Sequence, residues 1–254
     1  MTTIQRVDTT AWGKPTHYYK VDGRKADGVT TLIGDGMRKK AIEYWSANFT
    51  AEYAVDNWEA LDKQSPSSRL KTLKKCRFEK RDAAAAMGTD VHKFAERLAA
   101  GDEVEVPDEL IGHVESAAKF LDQWRIRPVM AEQTVAFPKW NYAGTFDLIA
   151  PDPHGRLAIW DYKTSGSGIY GETALQLAAY AHAPVYRGPD DEGVEMPTVE
   201  TGYAVWVRAD GYDVYELDIS ADTFKTFLHV AYVARHTKTL DSLKSDALEV
   251  PSWN

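Results

Sequence analysis

Residues Ala143–Tyr180 read AGTFDLIAPDPHGRLAIWDYKTSGSGIYGETALQLAAY, and the rest of the chain is organised around them. Ala143 to Ala150 is rich in aliphatic, aromatic and threonine residues, Pro151 to Gly155 is a cluster of turn formers, and Leu157 to Lys163 is apolar again. That is the pattern of a β-hairpin, with a glycine-rich loop and a helix after it. Strand side chains alternate, so Asp161 and Lys163 leave one face while Trp160 and Tyr162 leave the other. A turn centred on His154 sets Asp147 directly across from Asp161, at a spacing of about 5 Å between Cβ atoms.

Two carboxylates on one patch repel, and a sheet avoids that arrangement unless a cation compensates. A divalent metal is the economical answer. Mg²⁺ takes oxygen ligands, keeps several waters and is held by one or two carboxylates plus substrate phosphate. Asp147 and Asp161 suit that role, and the carbonyl of Tyr162 offers a third oxygen. Lys163, protonated, is no ligand; its charge suits orienting an attacking water or stabilising a phosphoryl transition state. The following helix, about Glu172 to His182, puts Gln176 and Tyr180 on one face. An amide among Ala and Leu residues calls for a hydrogen bond to the loop, to Lys163 or to a phosphate.

Gly144–Thr145–Phe146–Asp147, then Asp161–Tyr162–Lys163–Thr164, then Gln176–Leu177–Ala178–Ala179–Tyr180 resembles the PD-(D/E)XK nuclease superfamily, and within it the RecB-type exonucleases with their CRISPR-associated and phage relatives. Gly88–Thr89–Asp90–Val91–His92 matches the upstream Gly-x-x-x-His element of that group, and the resemblance spans roughly residues 85 to 185. It implies an αβββαβ core with a mixed central sheet flanked by helices, Mg²⁺ or Mn²⁺ as cofactor, and His92 and Glu132 as further metal ligands. It also implies Gln176 and Tyr180 as residues that hold the substrate strand. Several relatives carry an iron–sulfur cluster on four cysteines. Cys76 is the one cysteine here, so no such cluster forms.

The chain has 254 residues, no stretch apolar enough for a membrane span and no secretory signal pattern at the N-terminus, which predicts a soluble, cytoplasmic protein of a bacterium or phage-infected cell. Its net charge of −8 argues against a diffusely basic nucleic-acid binder. A local basic strip exists nonetheless: RLKTLKKCRFEKR, residues 69 to 81, has seven Lys or Arg against one Glu, and it offers Arg69, Lys71, Lys74, Lys75 and Arg77 to a phosphate backbone. Asp22–Gly23 predicts a hairpin, Met37 to Trp58 has mostly helical apolar spacing, and Ser65–Pro66 marks a helix start. Residues 1 to 81 are therefore expected to form a hairpin and helical cap, and 82 to 254 the nuclease core.

Within that core the expected helices are 82 to 100, 107 to 125 and 221 to 239, with strands at 130 to 137, 198 to 208 and 212 to 218 and an acidic, Gly/Pro-bearing excursion at 184 to 197. His92 and Glu96 share a helix face. The expected function is metal-dependent hydrolysis of DNA by an exonuclease, since a helical cap would demand a free end to thread. The alternatives are a structure-specific endonuclease and a catalytically silent DNA-binding or protein-interaction module. By family analogy the partners are DNA with a free end and a single-strand annealing or recombination protein.

Overall fold

The computed structural model describes residues 1 to 249 apart from Trp12 and Lys238, so the last five residues of the expected core, and the expected helix at Lys238, lie outside the described residues. In chain order the N-terminal part is β1 (Ile4–Ala11), β2 (Lys14–Val21), β3 (Arg24–Gly28), α1 (Val29–Gly36), α2 (Lys40–Asp56), α3 (Trp58–Asp62) and α4 (Pro66–Ala99). There follow α5 (Ile111–Gln123), β4 (Met130–Phe137), β5 (Tyr142–Pro151), β6 (Leu157–Lys163) and α6 (Glu172–Ala181). The chain continues through β7 (Val185–Arg187), β8 (Gly193–Glu195), β9 (Thr201–Arg208), β10 (Gly211–Leu217) and α7 (Ala221–Thr237). The protein is α/β: among the described residues ten strands form one mixed sheet with helices on both faces.

Strand β5 is the hub. One of its edges pairs with β4 along most of its length. The opposite edge is shared: Tyr142 and Ala143 pair in parallel with β3, and Leu148 to Pro151 pair antiparallel with β6. Between those partners, among the described residues, Gly144 to Asp147 have no strand on that edge. The sheet forks there. Continuing the β5–β6 register by one pair sets Asp147 opposite Asp161, as a turn centred on His154 requires.

The two faces of β6 bury different cores. Ile159 joins the cluster under α1, α6 and α7, with Val29, Leu32, Leu177, Phe227 and Ala231. Trp160 and Tyr162 join the cluster under α4 and α5, with Val91, Val114, Phe120 and Leu121. Fully burying one such aliphatic or aromatic side chain contributes about 1.5 to 3 kcal/mol, so these two clusters are what flatten the helices onto the sheet. Trp160 stacks on Tyr203 at 4.4 Å between ring centroids and donates its indole N–H to the Ala150 carbonyl at 3.1 Å.

The expected division at residue 81/82 needs correcting on two grounds. Position 82 lies inside α4, one helix of 34 residues. Ser65 caps it, accepting from Ser68 N at 3.3 Å, Pro66 stands in its first turn, and no proline interrupts it thereafter, so nothing ends the helix before Ala99. The N-terminal strands, moreover, belong to the central sheet: Ile4, Tyr19, Val21 and Ala26 are buried against Ala136 and Ala143. The expected hairpin is there as β2–β3, with Asp22 (φ 50°) and Gly23 (φ 75°) in the left-handed region that its turn demands.

Residues 40 to 81 form a separate packing unit in which α2 rests on α3 and α4. Despite its apolar spacing α2 buries no residue; Tyr44 and Val55 are 72% and 76% exposed. The excursion after α6 contains the short β7–β8 hairpin, docked on the free edge of β4. Among the described residues no helix is long and apolar enough to cross a membrane.

Candidate active site

The fork in β5 holds the charged residues that the sequence singles out. Asp147, at its end, accepts a hydrogen bond at Oδ2 from the backbone N–H of Tyr162 at 2.7 Å, taking the place a strand carbonyl would fill. Asp161 points to the α6 side, only 2% exposed. Its Oδ2 lies 2.5 Å from Nζ of Lys163 without hydrogen-bond geometry, and its Oδ1 accepts from Nε2 of Gln176 at 3.0 Å. The same amide accepts from Lys163 Nζ through Oε1 at 3.3 Å. Gln176 thus bonds both members of the ion pair.

Two motif glycines are explained by close approach. A Cβ at Gly144 would lie 2.5 Å from the Tyr180 ring, and one at Gly88 would lie 2.8 Å from the Thr164 hydroxyl. Gly88 costs about 1 kcal/mol of helix propensity against alanine. In return α4 passes directly over the end of β6, which carries His92 to the fork. Its Nδ1 is 3.5 Å from Asp147 Oδ2.

The electrostatics follow from burial and pairing. Burial works against charge on His92, but the Asp147 carboxylate outweighs it and holds the imidazole above its ordinary value. Burial would raise Asp147 too, yet His92, Lys163 and the Tyr162 N–H bring it below the usual carboxylate range. Asp161 is pushed up by burial in spite of Lys163, while Lys163, opposed by burial, is held up by Asp161.

Glu132 lines the same cavity of about 530 Å³ as His92, Asp147, Gln176 and Tyr180. Its backbone is in the left-handed region (φ 49°), unusual for a non-glycine residue. The β4–β5 ladder is interrupted between Ala131↔Leu148 and Gln133↔Phe146, where Glu132 and Asp147 would face each other. Burial first, then Asp147 and Glu96, push the Glu132 carboxyl up to about 7. Strain and an unusual protonation state together at one residue are signs of a functional position.

The structure therefore brings together His92, Glu132, Asp147, Asp161, Tyr162, Lys163, Gln176 and Tyr180. Tyr180, 2% exposed, packs against Gly144 and receives a hydrogen bond from Gln176 Nε2 at 3.4 Å. It supports Gln176 and also lines the cavity. Arg69 and Arg77 need correcting as backbone-binding residues. Arg69 donates to the Leu61 carbonyl at 2.9 Å and Arg77 to the Ser46 hydroxyl at 2.9 Å, so both tie the α2–α4 unit together. Lys71, Lys74 and Lys75 are solvent-exposed and stand far along α4 from His92.

Sequence reasoning missed Arg6, His17 and Tyr19, which β1 and β2 bring to the cavity wall. His17 Nε2, the Tyr19 hydroxyl, Thr145 Oγ1 and Thr134 Oγ1 form one chain at 3.0, 3.1 and 3.2 Å. The alternation of His17, Tyr19 and Val21 on one strand face was the available signal; what they would face was not.

The donor set suits a hard cation in kind. Two carboxylates reach neighbouring strand positions, and the buried Asp161 Oδ2 has the Lys163 ammonium as its partner at 2.5 Å. It is not a closed cage, for among the described residues no group of three or more His, Cys, Asp or Glu stands ready to hold a metal. Two carboxylates completed by water and phosphate oxygens is a Mg²⁺ arrangement, and the Nδ1 contact with Asp147 makes His92 a partner of that carboxylate.

No family model matches the chain, and no curated protein matches it. Among solved structures, one titled "Crystal structure of SSO0001" aligns over 86% of this chain and 76% of its own, at 13% identity and a TM-score of 0.32. A likeness of that size carries no argument.

Proposed function

We propose that the chain is a metal-dependent nuclease of the PD-(D/E)XK type that hydrolyses phosphodiester bonds of DNA. The observation that carries this reading is the Asp161–Lys163 pair cross-linked by Gln176, one strand position away from Asp147 and under His92. A structural core has little use for two carboxylates and a lysine at one buried fork, given the cost of removing charges from water.

Asp147 and Asp161 would hold Mg²⁺ or Mn²⁺, with Glu132 nearby on the neighbouring strand β4 and the Tyr162 carbonyl on β6. When bound, the cation supplies Lewis acidity toward the phosphate and lowers the pKa of a coordinated water. The chain's own residues do the rest. Lys163, kept protonated by Asp161, offers Nζ protons to an oxygen where negative charge grows. Gln176 fixes the angle of that ammonium. His92 keeps Asp147 ionised and turned to the fork.

Residues 40 to 81 favour action on ends. Lys71, Lys74 and Lys75 stand on the solvent side of α4 and suit a phosphate backbone approaching along the helix toward His92. The reading from another class, a silent DNA-binding module, draws on the absence of a ready three-ligand metal group among the described residues. Incubation with linear and covalently closed circular DNA, each with Mg²⁺, Mn²⁺ or EDTA, separates the two. Degradation of linear DNA with either metal and none with EDTA is expected, with circles spared. DNA binding with no cleavage under any condition would establish the silent module, and rapid cutting of closed circles an endonuclease.

A further inference from the structure

After α7 the chain reads LDSLKSDALE, residues 240 to 249, with three acids against one lysine. Leu240, Leu243, Ala247 and Leu248 recur at helical spacing, so a helix over this stretch would gather them on one face and leave Asp246 and Glu249 off it. No part of the chain receives that face. Among the described residues only Leu240–Leu243 takes a helical turn here, and Leu243 and Leu248 are 79% and 89% exposed. Apolar residues in water at the spacing of a helix that lies in a groove mark a segment made to dock.

A surface of opposite charge lies on α4. In a chain of net charge −8, residues 69 to 81 are the basic exception, and the helix sorts them by face. Arg69 and Arg77 turn inward, whereas Lys71, Lys74 and Lys75 stand outside with exposed Leu70 and Phe78. Leu70, Lys74 and Phe78 follow at intervals of four, so cations and apolar groups share one stripe. The Arg81 guanidinium lies 5.2 Å from the centroid of the Phe78 ring. Among the described residues none of the three lysines is in an ion pair.

We propose that a second copy of this chain covers the stripe: its residues 240 to 249 dock as a helix, with the leucines on Leu70 and Phe78 and the acids toward Lys71, Lys74 and Lys75. Both surfaces are apolar in part, and opposite charge makes each the fit for the other. Within one chain the two diverge. Gly36, which has no room for a Cβ, lies against the Val230 carbonyl, and Arg235 bonds Asp27 Oδ2 at 2.8 Å, so α7 runs antiparallel to α1. The acidic segment therefore leaves beside the start of α1, while α2 and the basic stripe follow from its end. Two copies that exchange segments reciprocally close as a dimer, in which the first contact strengthens the second.

The test is sedimentation velocity of the full chain in EDTA, across a dilution series at low and at high salt. A monomer–dimer equilibrium that weakens at high salt is expected. Leu243→Asp with Leu248→Asp should abolish the dimer, and Lys71→Glu with Lys75→Glu should weaken it about tenfold or more. Asp246→Lys with Glu249→Lys should weaken it as far. Mixing these two charge-reversed proteins should restore a dimer, because every contact in the mixed pair is again between opposite charges, a rescue that misfolding cannot produce. A chain that stays monomeric throughout, a dimer indifferent to the substitutions at 243 and 248, or a mixture that restores nothing overturns the proposal. So does compaction of the monomer independent of concentration, which would place the segment on its own chain. Flotation of a monomer with phosphatidylserine vesicles would give the stripe to a membrane instead and overturn it too. Neither metal nor DNA enters the measurement, so its result is separate from the nuclease reading.

Discussion

Nζ of Lys163 and Oδ2 of Asp161 lie 2.5 Å apart, at a site where Asp161 is almost fully buried and Gln176 bonds to both. Removing one member of such a pair strands the other. Lys163→Met should cost about 3 kcal/mol, the low end for breaking a buried pair because Lys163 retains some exposure to water, and lower Tm by about 6 to 12 °C. It also frees Asp161, so Mn²⁺ should bind at least as well as to wild type and restore part of the lost Tm, while cleavage falls by about 100-fold or more. Asp161→Ala should instead weaken Mn²⁺ binding. Calorimetry on the two variants decides; equal loss of metal affinity in both would contradict the division of roles.

Gly144 and Tyr180 form a steric pair. Gly144→Ala should destabilise by about 2 kcal/mol through its clash with the Tyr180 ring. Tyr180→Leu should cost on its own but relieve part of the clash, so a denaturation double-mutant cycle is expected to be non-additive. Strict additivity would show that the ring moves aside freely.

The β5–β6 hairpin was legible because everything that determines it is local. Turn formers between Pro151 and Gly155 centre the register on His154, and the register sets Asp147 against Asp161. Spacing four residues apart likewise puts Gln176 and Tyr180 on one helix face. The contributions of Arg6, His17 and Tyr19 were not legible, since the pairing of β3 with β5 joins residues more than a hundred positions apart and leaves no local mark. The apolar spacing of α2 misled for the opposite reason: periodicity reports a face able to be buried, and contact with α3 and α4 covers α2 only in part, leaving none of its residues fully buried. Arg69 and Arg77 read as a basic strip with their neighbours, yet helical geometry turns them inward onto Leu61 and Ser46.

Acid should loosen the hairpin turn through Asp152. Burial alone would raise this carboxyl, but bonds from the Arg156 side chain and from the backbone N–H groups of Arg156 and His154 hold it below its ordinary value. A depressed folded pKa contributes stability that is complete above about pH 5 and is lost as pH falls through that lower value. Asp152→Asn should therefore cost about 1 to 2 kcal/mol at pH 7, with the gap to wild type closing below about pH 4. Urea melts across that range check it, and a gap that does not close would remove Asp152 as the source.

On α4 the inward and outward cations should separate. Arg69→Ala should lower the stability of the α2–α4 unit by about 1 kcal/mol with little change in DNA affinity beyond that. Lys74→Glu with Lys75→Glu should leave Tm within about 1 °C and reduce DNA affinity, flattening its log–log salt dependence by about one unit for each phosphate no longer neutralised. An unchanged salt slope would detach this face from DNA.

The most direct test is a time course on end-labelled linear DNA with Mn²⁺, comparing wild type with Asp161→Asn, a variant that keeps the shape of the side chain and removes its charge. Cleavage by wild type that EDTA abolishes, and a fall of at least about 100-fold in Asp161→Asn with a native melting transition, is the predicted result. Equal rates from the two proteins, or none from wild type with either metal, would contradict the assignment of this fork as a nuclease site.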